Sequence, residues 1–260
     1  MVDVRSRSPR GERYEAKYII TEAQAAAVRR YCLSHLRPDP YSLGHRGRQY
    51  PVLSIYLDSP NNDLLKSTLS GRVNRYKLRV RTYRRFKGSA SNGSAFFEIK
   101  RRHYGIVRKT RARTSSVMAE SLVRQELAQF DLRRAFDTRS YLDGSKFMML
   151  RSEIHAKPVV GVFYTREAYE GVSGNGVRIT VDRNLHYGLL APFGSGMEDR
   201  WCLAVNRTVI LEVKFTDTYP FWVADMLRRV EVVRRGVCKY VLCSRAAGSP
   251  QFAAWRGTAV

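Results

Sequence analysis

Arginine and lysine take every second position from Asn74 to Tyr83, where Arg75, Lys77, Arg79 and Arg81 alternate with Tyr76, Leu78, Val80 and Thr82. Extended backbone has a side-chain period of two, so this spacing puts four cations on one face of a strand. Like charges so close repel, and a fold keeps them where the face meets water or where it meets an anion that neutralises them. Arginine offers a bidentate fork to phosphate or carboxylate oxygens, and lysine a point charge.

Other stretches repeat the pattern with an occasional acid. Arg13, Glu15 and Lys17 alternate with Tyr14, Ala16 and Tyr18; Glu98, Lys100 and Arg102 alternate with Phe97 and Ile99. Lys109, Arg111 and Arg113 share a side of the segment from Ile106 to Arg113, as do Arg178, Thr180 and Asp182 opposite Val177, Ile179 and Val181. Glu212 and Lys214 stand opposite Leu211, Val213 and Phe215.

Composition agrees with an anionic partner. Lys+Arg 46 against Asp+Glu 23 gives a formal net charge of +23 and a pI near 10.4, which points to nucleic acid, anionic lipid or a phosphate compound. An arginine-rich proteome would raise the same count. Nucleic-acid readers join a basic surface to stacking aromatics or a recognition helix, whereas these cations sit on strands, so no nucleic acid is expected. Cys32, Cys202, Cys238 and Cys243 form no C-x-x-C pair and have no matching histidine spacing, which leaves reduced thiols as the default. No run approaches ~18 consecutive apolar residues, so a soluble, cytoplasmic protein without a transmembrane segment is expected.

The elements that must position these residues follow from periodicity. At 260 residues and 44% hydrophobic, the chain can build one large core, and a single domain over residues 13–245 is expected between a loose leader (1–12) and a frayed tail (246–260). Thr21 and Gln24 make a capping box for an alanine-rich helix to about Leu36. Residues 37–50 read as a loop, Val52 to Leu57 as a strand, and Ser59 to Leu69 as the start and body of a short helix. A Gly/Ser turn at 87–93 joins two strands in a hairpin. A helical region covers roughly Met118 to Arg151, with Leu122, Val123, Leu127 and Phe130 as a buried stripe and Met148 to Leu150 as core. Val159 to Tyr169 reads as an apolar strand, residues 184–207 as a hairpin, Pro220 opens a helix to about Arg235, and Cys238 to Cys243 reads as a last strand.

Helices with apolar stripes need something to pack on, and the apolar strand faces are the only large candidate. The charged faces then point away from the helices. The expected class is α+β: in an open sheet these faces meet water, and in a closed antiparallel β-barrel of about eight strands, with helices outside, they line a tunnel. A cationic interior needs anionic oxygen to fill it, and a linear phosphate chain fits, with the few acids free to hold a divalent ion.

The motifs that carry a family likeness are Arg13-Tyr14-Glu15-Ala16-Lys17-Tyr18, Leu78-Arg79-Val80-Arg81, Phe97-Glu98-Ile99-Lys100, Lys109-Thr110-Arg111, Tyr164-Thr165-Arg166, Arg178-Ile179-Thr180-Val181-Asp182, Leu211-Glu212-Val213-Lys214 and Cys238-Lys239-Tyr240. In order and spacing they resemble the polyphosphate polymerase domain of the vacuolar transporter chaperone, a branch of the triphosphate tunnel metalloenzymes, over nearly the whole chain. Two positions depart from the pattern: Arg13 stands where many tunnel enzymes carry a first glutamate, and Cys238 where a serine is expected before the lysine.

The resemblance implies a metal-dependent phosphotransferase that moves the terminal phosphoryl group of a nucleoside triphosphate onto a growing polyphosphate chain. It gives Arg79, Arg81, Lys100, Arg166, Arg178 and Lys239 the grip on the triphosphate. Lys17, Lys109, Arg111 and Lys214 continue the track for the acceptor. Glu212 is the first choice of ligand for Mn²⁺ or Mg²⁺, with Glu98 and Glu15 second. A triphosphatase of the same fold, acting on inorganic or thiamine triphosphate, and a non-catalytic polyanion-binding module are the alternatives; a membrane-protein partner for the product stays open.

Overall fold

The computed structural model describes residues 13–83, 93–104, 106–124, 131–171, 176–188, 201–216 and 220–248. The leader, most of the 87–93 turn, Leu127, Phe130 and most of the tail lie outside them. The alternating segments all become strands: β1 (Arg13–Ile20), β3 (Tyr50–Asp58), β4 (Arg75–Thr82), β5 (Ser94–His103), β6 (Ile106–Ser115), β7 (Lys157–Glu170), β8 (Arg178–Gly188) and β10 (Val209–Thr216). They join antiparallel in the order β1-β10-β8-β7-β3-β4-β5-β6. Two short strands complete the sheet: β2 (Arg37–Pro38) pairs with β7, and β9 (Trp201–Leu203) pairs antiparallel with β8, as expected for 184–207, of which residues 189–200 lie outside the described ones.

The sheet curls into a half-barrel with helices packed around it, and the closed barrel expected from sequence is corrected to an open one. Edge strands β1 and β6 do not pair in the ladder. The outer edge of β1 is already occupied: Tyr18 bridges to Arg234, and the Arg235 backbone N–H donates to the Lys17 carbonyl at 3.1 Å. At Lys17 and Tyr18 that edge is therefore not free to take a second strand. The open side is spanned instead by side chains, the Lys100 ammonium donating to both Glu15 carboxylate oxygens at 2.8 and 3.0 Å.

The convex face is the apolar one. Helix α1 (Glu22–His35), started by the Thr21–Gln24 capping box in both directions, buries Ala25, Val28 and Cys32 against Leu211, Val213 and Ile179. Helix α7 (Phe221–Arg229) adds Val223 and Met226 to the same cluster. It stops short of Arg235 because Glu231 takes a left-handed φ of 53° and turns the chain back toward β1. The single helical region expected between Met118 and Arg151 is divided into α4 (Ser116–Arg124), α5 (Leu132–Ala135) and α6 (Tyr141–Glu153). Leu122, Phe147 and Met148 pack there on Leu78, Val80, Phe97 and Ile99, while Met149 faces out at 60% exposure. The stretch 37–50 holds a short helix α2 (Pro40–Leu43), and α3 (Asp63–Leu69) follows β3 as expected.

Cys238 to Cys243 is not a strand. Lys239–Ala246 is helix α8, with Tyr240 and Cys243 buried at a three-residue spacing. Six apolar-rich residues fit either period, and docking decides between them. The Tyr240 hydroxyl donates to Asp58 at 2.6 Å and its ring stacks on Tyr56, centroids 4.6 Å apart. Tyr56 is the register partner of Arg79, so α8 sits on the concave side of the sheet.

Candidate functional site

The pleat brings the predicted side chains to one concave face. Register places Lys17 beside Glu212, Glu212 beside Thr180, and Glu15 beside Lys214. Arg79 lies beside Glu98, Glu98 beside Arg111, and Lys100 beside Lys109. With Lys77 and Arg81 on β4, Arg166 on β7 and Lys239 at the start of α8, the face gathers, among the described residues, ten cations (Lys17, Lys77, Arg79, Arg81, Lys100, Lys109, Arg111, Arg166, Lys214 and Lys239) against four carboxylates (Glu15, Glu98, Asp182 and Glu212).

Two of the carboxylates are consumed by their neighbours. Glu98 is 0% exposed and takes Arg79 Nε and Arg111 Nε at 2.7 Å each and Lys109 Nζ at 3.2 Å, with Arg81 at 3.9 Å. Burial alone would raise its pKa, but Arg79, Arg81, Lys109 and Arg111 hold it far below the usual carboxylate range. Asp182 receives a bidentate pair from Arg166 at 2.7 and 2.8 Å and Lys239 Nζ at 2.6 Å. Against the opposing effect of burial, Arg166 and Lys239 bring it to about 2.

Glu15 and Glu212 are ion-paired as well, each with two cations within 4 Å among the described residues: Lys17 and Lys100 reach Glu15 at 2.9 and 2.8 Å, and Lys214 and Arg166 reach Glu212 at 3.1 and 3.8 Å. Burial works against ionising Glu212, yet Lys214, Lys17, Lys100 and Arg166 keep it well below its ordinary range. Both carboxylates are therefore anionic near neutrality and face the cavity. Among the described residues no three His, Cys, Asp or Glu side chains converge on one point.

The cations left over give the face its sign. Lys77 has no ion-pair partner among the described residues, and burial pulls its pKa down. Arg81 leans on neutral groups, donating to the Ser54 hydroxyl at 3.0 Å and the Tyr164 hydroxyl at 3.2 Å. Burial, with Lys17 close by, brings Lys100 down to about 7 in spite of its bond to Glu15. Cys238 occupies the residue before α8, where Lys77 and Lys17 draw its thiol below the ordinary value although burial opposes them.

Arg178 lies at the rim rather than the centre, held by Asp39 at 2.7 Å and Glu170 at 3.0 Å. Five residues of the face were given no role in the sequence reading. Lys77 and Asp182 follow from the alternation itself. The aromatic wall of Tyr56 and Tyr164, with Arg166 and Lys239 at 5.2 and 4.9 Å over the Tyr164 ring, has no signal in the charge pattern. Thr180 places a fully buried hydroxyl, with no hydrogen-bond partner among the described residues, between Arg178 and Asp182. None of the helices among the described residues is long and apolar enough to cross a membrane.

No curated protein matches the chain. Solved structures of similar shape include the PH1819 protein of Pyrococcus horikoshii OT3, with 16% identity, 88% of this chain and 96% of that one covered, and a TM-score of 0.43. Another is an adenylyl cyclase candidate of Hippeastrum, described as having a dominant triphosphatase activity, with 15% identity, 90% and 95% covered, and a TM-score of 0.44. The profile of the VTC domain matches residues 12–247, which spans all of the described strands and α8. The chain therefore belongs to the VTC domain family.

Proposed function

We propose that the chain is a polyphosphate polymerase, transferring the terminal phosphoryl group of a nucleoside triphosphate to the end of an inorganic polyphosphate chain held on the concave face. The observation that carries the reading is the excess, among the described residues, of ten cations over four carboxylates on one curved surface, with all four carboxylates already placed between cations. Anionic oxygen against such a surface offsets the cost of burying its surplus cations.

The chemistry asks little of the protein beyond position and charge. A terminal oxygen of the acceptor, ionised at neutral pH, attacks the γ-phosphorus. A new P–O–P link forms, the bond to the leaving nucleoside diphosphate breaks, and the polymer gains one phosphate. Arg79, Arg81 and Arg166, fixed by Glu98, Ser54 and Asp182, present donors that need no reorganisation as charge spreads over the transferring group. Lys239 is held against Asp182 and the Tyr164 ring at the same level. Lys17, Lys100, Lys109, Arg111 and Lys214 continue the track, and Arg178 guards the rim.

A divalent ion, Mn²⁺ or Mg²⁺, suits Glu212 with Glu15, since such ions are held by one or two carboxylates completed by substrate phosphate oxygens. Glu98, with four cations within 4 Å against two each at Glu15 and Glu212 among the described residues, is the least open of the three. When bound, the ion neutralises phosphate charge and aligns the two ends.

Purified protein incubated with ATP and Mn²⁺ should yield long polymer on a gel. Release of orthophosphate alone would replace this reading with a triphosphatase of the same fold, in which water is the acceptor.

A further inference from the structure

The end of the concave face away from α8 carries a group of rings that phosphate chemistry leaves unexplained. Tyr50 opens β3, Tyr83 follows β4 and Phe96 lies in β5, all on the pleat side of Arg81 and Glu98. Tyr41 of α2 lies over them, stacked on Tyr83 with centroids 5.3 Å apart and 25° between planes, and 5.7 Å from Tyr50. Arg111 joins the rings to the track: its guanidinium sits 4.1 Å over Phe96 and donates to the Tyr83 hydroxyl at 2.8 Å.

The platform is braced. Asp39, 1% exposed, accepts from the Ser42 backbone N–H at 2.7 Å, from the Tyr50 hydroxyl at 3.1 Å and from Arg178 at 2.7 Å. One buried carboxylate thus fixes the short helix that presents Tyr41, one ring beneath it and a rim cation. Elsewhere the large apolar rings, such as Phe97 and Phe147, are buried on the convex face. Tyr41 instead leaves half its surface, 51%, open to solvent at the mouth of the cationic face.

A polymer of phosphate has no apolar surface to set against these rings. Within a nucleoside triphosphate only the base does, and an exposed ring beside arginines suits base stacking of low sequence preference. We infer that the nucleobase of the triphosphate donor stacks on Tyr41, with its phosphates running inward past Arg111 and Arg81. The nucleotide then enters and leaves at this mouth, and the polymer is held toward Lys100, Lys17 and Lys77 at the other end. This inference rests on the triphosphate reading above.

The test compares dissociation constants for ATP and for inorganic triphosphate by calorimetry, in wild type, Tyr41→Ala and Tyr41→Trp. Tyr41→Ala should weaken ATP about tenfold or more, the scale of one lost base–aromatic stack, and move inorganic triphosphate less than about twofold. Tyr41→Trp should bind ATP as wild type or tighter. Equal weakening of both ligands, no change in either, or failure of tryptophan to restore ATP binding overturns the platform. Wild type that binds inorganic triphosphate but not ATP overturns it and leaves the phosphate track standing. Wild type that binds neither ligand removes both readings together.

Discussion

Lys239 Nζ lies 2.6 Å from Asp182 Oδ2, and the other side of the same carboxylate is gripped by Arg166. One buried anion therefore fixes a cation on the central strand β7 and ties α8 to the sheet wall. Asp182→Asn leaves Arg166 and Lys239 facing each other with Glu212, 3.8 Å from Arg166, as their remaining carboxylate among the described residues. Breaking such a buried pair typically costs about 3–5 kcal/mol, so the urea midpoint should fall sharply. Inorganic triphosphate should restore part of the loss by supplying the missing negative charge.

The same groups set the acid limit of the fold. Asp182 is depressed to about 2 and Glu98 is held lower still. Groups whose folded pKa is depressed contribute stability that is complete above their unfolded values, near 4, and is lost as pH falls toward the folded ones. Urea midpoints should be flat from pH 7 to about 5 and drop steeply between about pH 4 and 2. A flat profile down to pH 2 would contradict the buried ion pairs.

The strands were legible because alternation survives translation into structure: Arg75, Lys77, Arg79 and Arg81 do share a face, and so do Glu212 and Lys214. Closure was not, since whether β1 meets β6 depends on Arg234 and Arg235 folding back from more than two hundred residues away to take its edge. The helix at Lys239 was hidden for a related reason. The six residues from Cys238 to Cys243 are too few for periodicity to choose between strand and helix, and the long-range partners Asp58 and Asp182 select the helix. Charge pattern located the cationic face but said nothing of Tyr41, whose role depends on where α2 is held.

Glu212 and Glu98 should separate by function. Glu212→Gln should abolish metal-dependent turnover, by at least about a hundredfold, while triphosphate still binds without metal. Glu98→Gln should lower the urea midpoint instead, because Arg79 and Arg111 lose a fully buried counter-charge. Metal-dependent turnover unchanged in Glu212→Gln would remove the metal assignment.

Cys238 reports on the cavity. Lys77 and Lys17 favour its thiolate, whereas burial pushes Cys243 up to about 12 and raises Cys32 further. Iodoacetamide mapped by mass spectrometry should label Cys238 and the exposed Cys202, and spare Cys32 and Cys243. Inorganic triphosphate should protect Cys238 and leave Cys202 labelled as before. Equal protection of both would mean that the anion does not occupy the concave face.

Lys100 makes anion binding pH-dependent near neutrality. Burial and Lys17 bring its pKa to about 7, so the side chain is charged below that value and neutral above it. A phosphate chain on the face favours the charged form and lifts the pKa, so binding above pH 7 must draw a proton from solvent. At pH 8, calorimetry in buffers of different ionisation enthalpy should show net proton uptake on binding inorganic triphosphate, and affinity should weaken from pH 6 to 8.5. Arginine stays protonated throughout this range. Lys100→Arg should therefore reduce the uptake and flatten the pH profile; a profile identical to wild type would place the titrating group elsewhere.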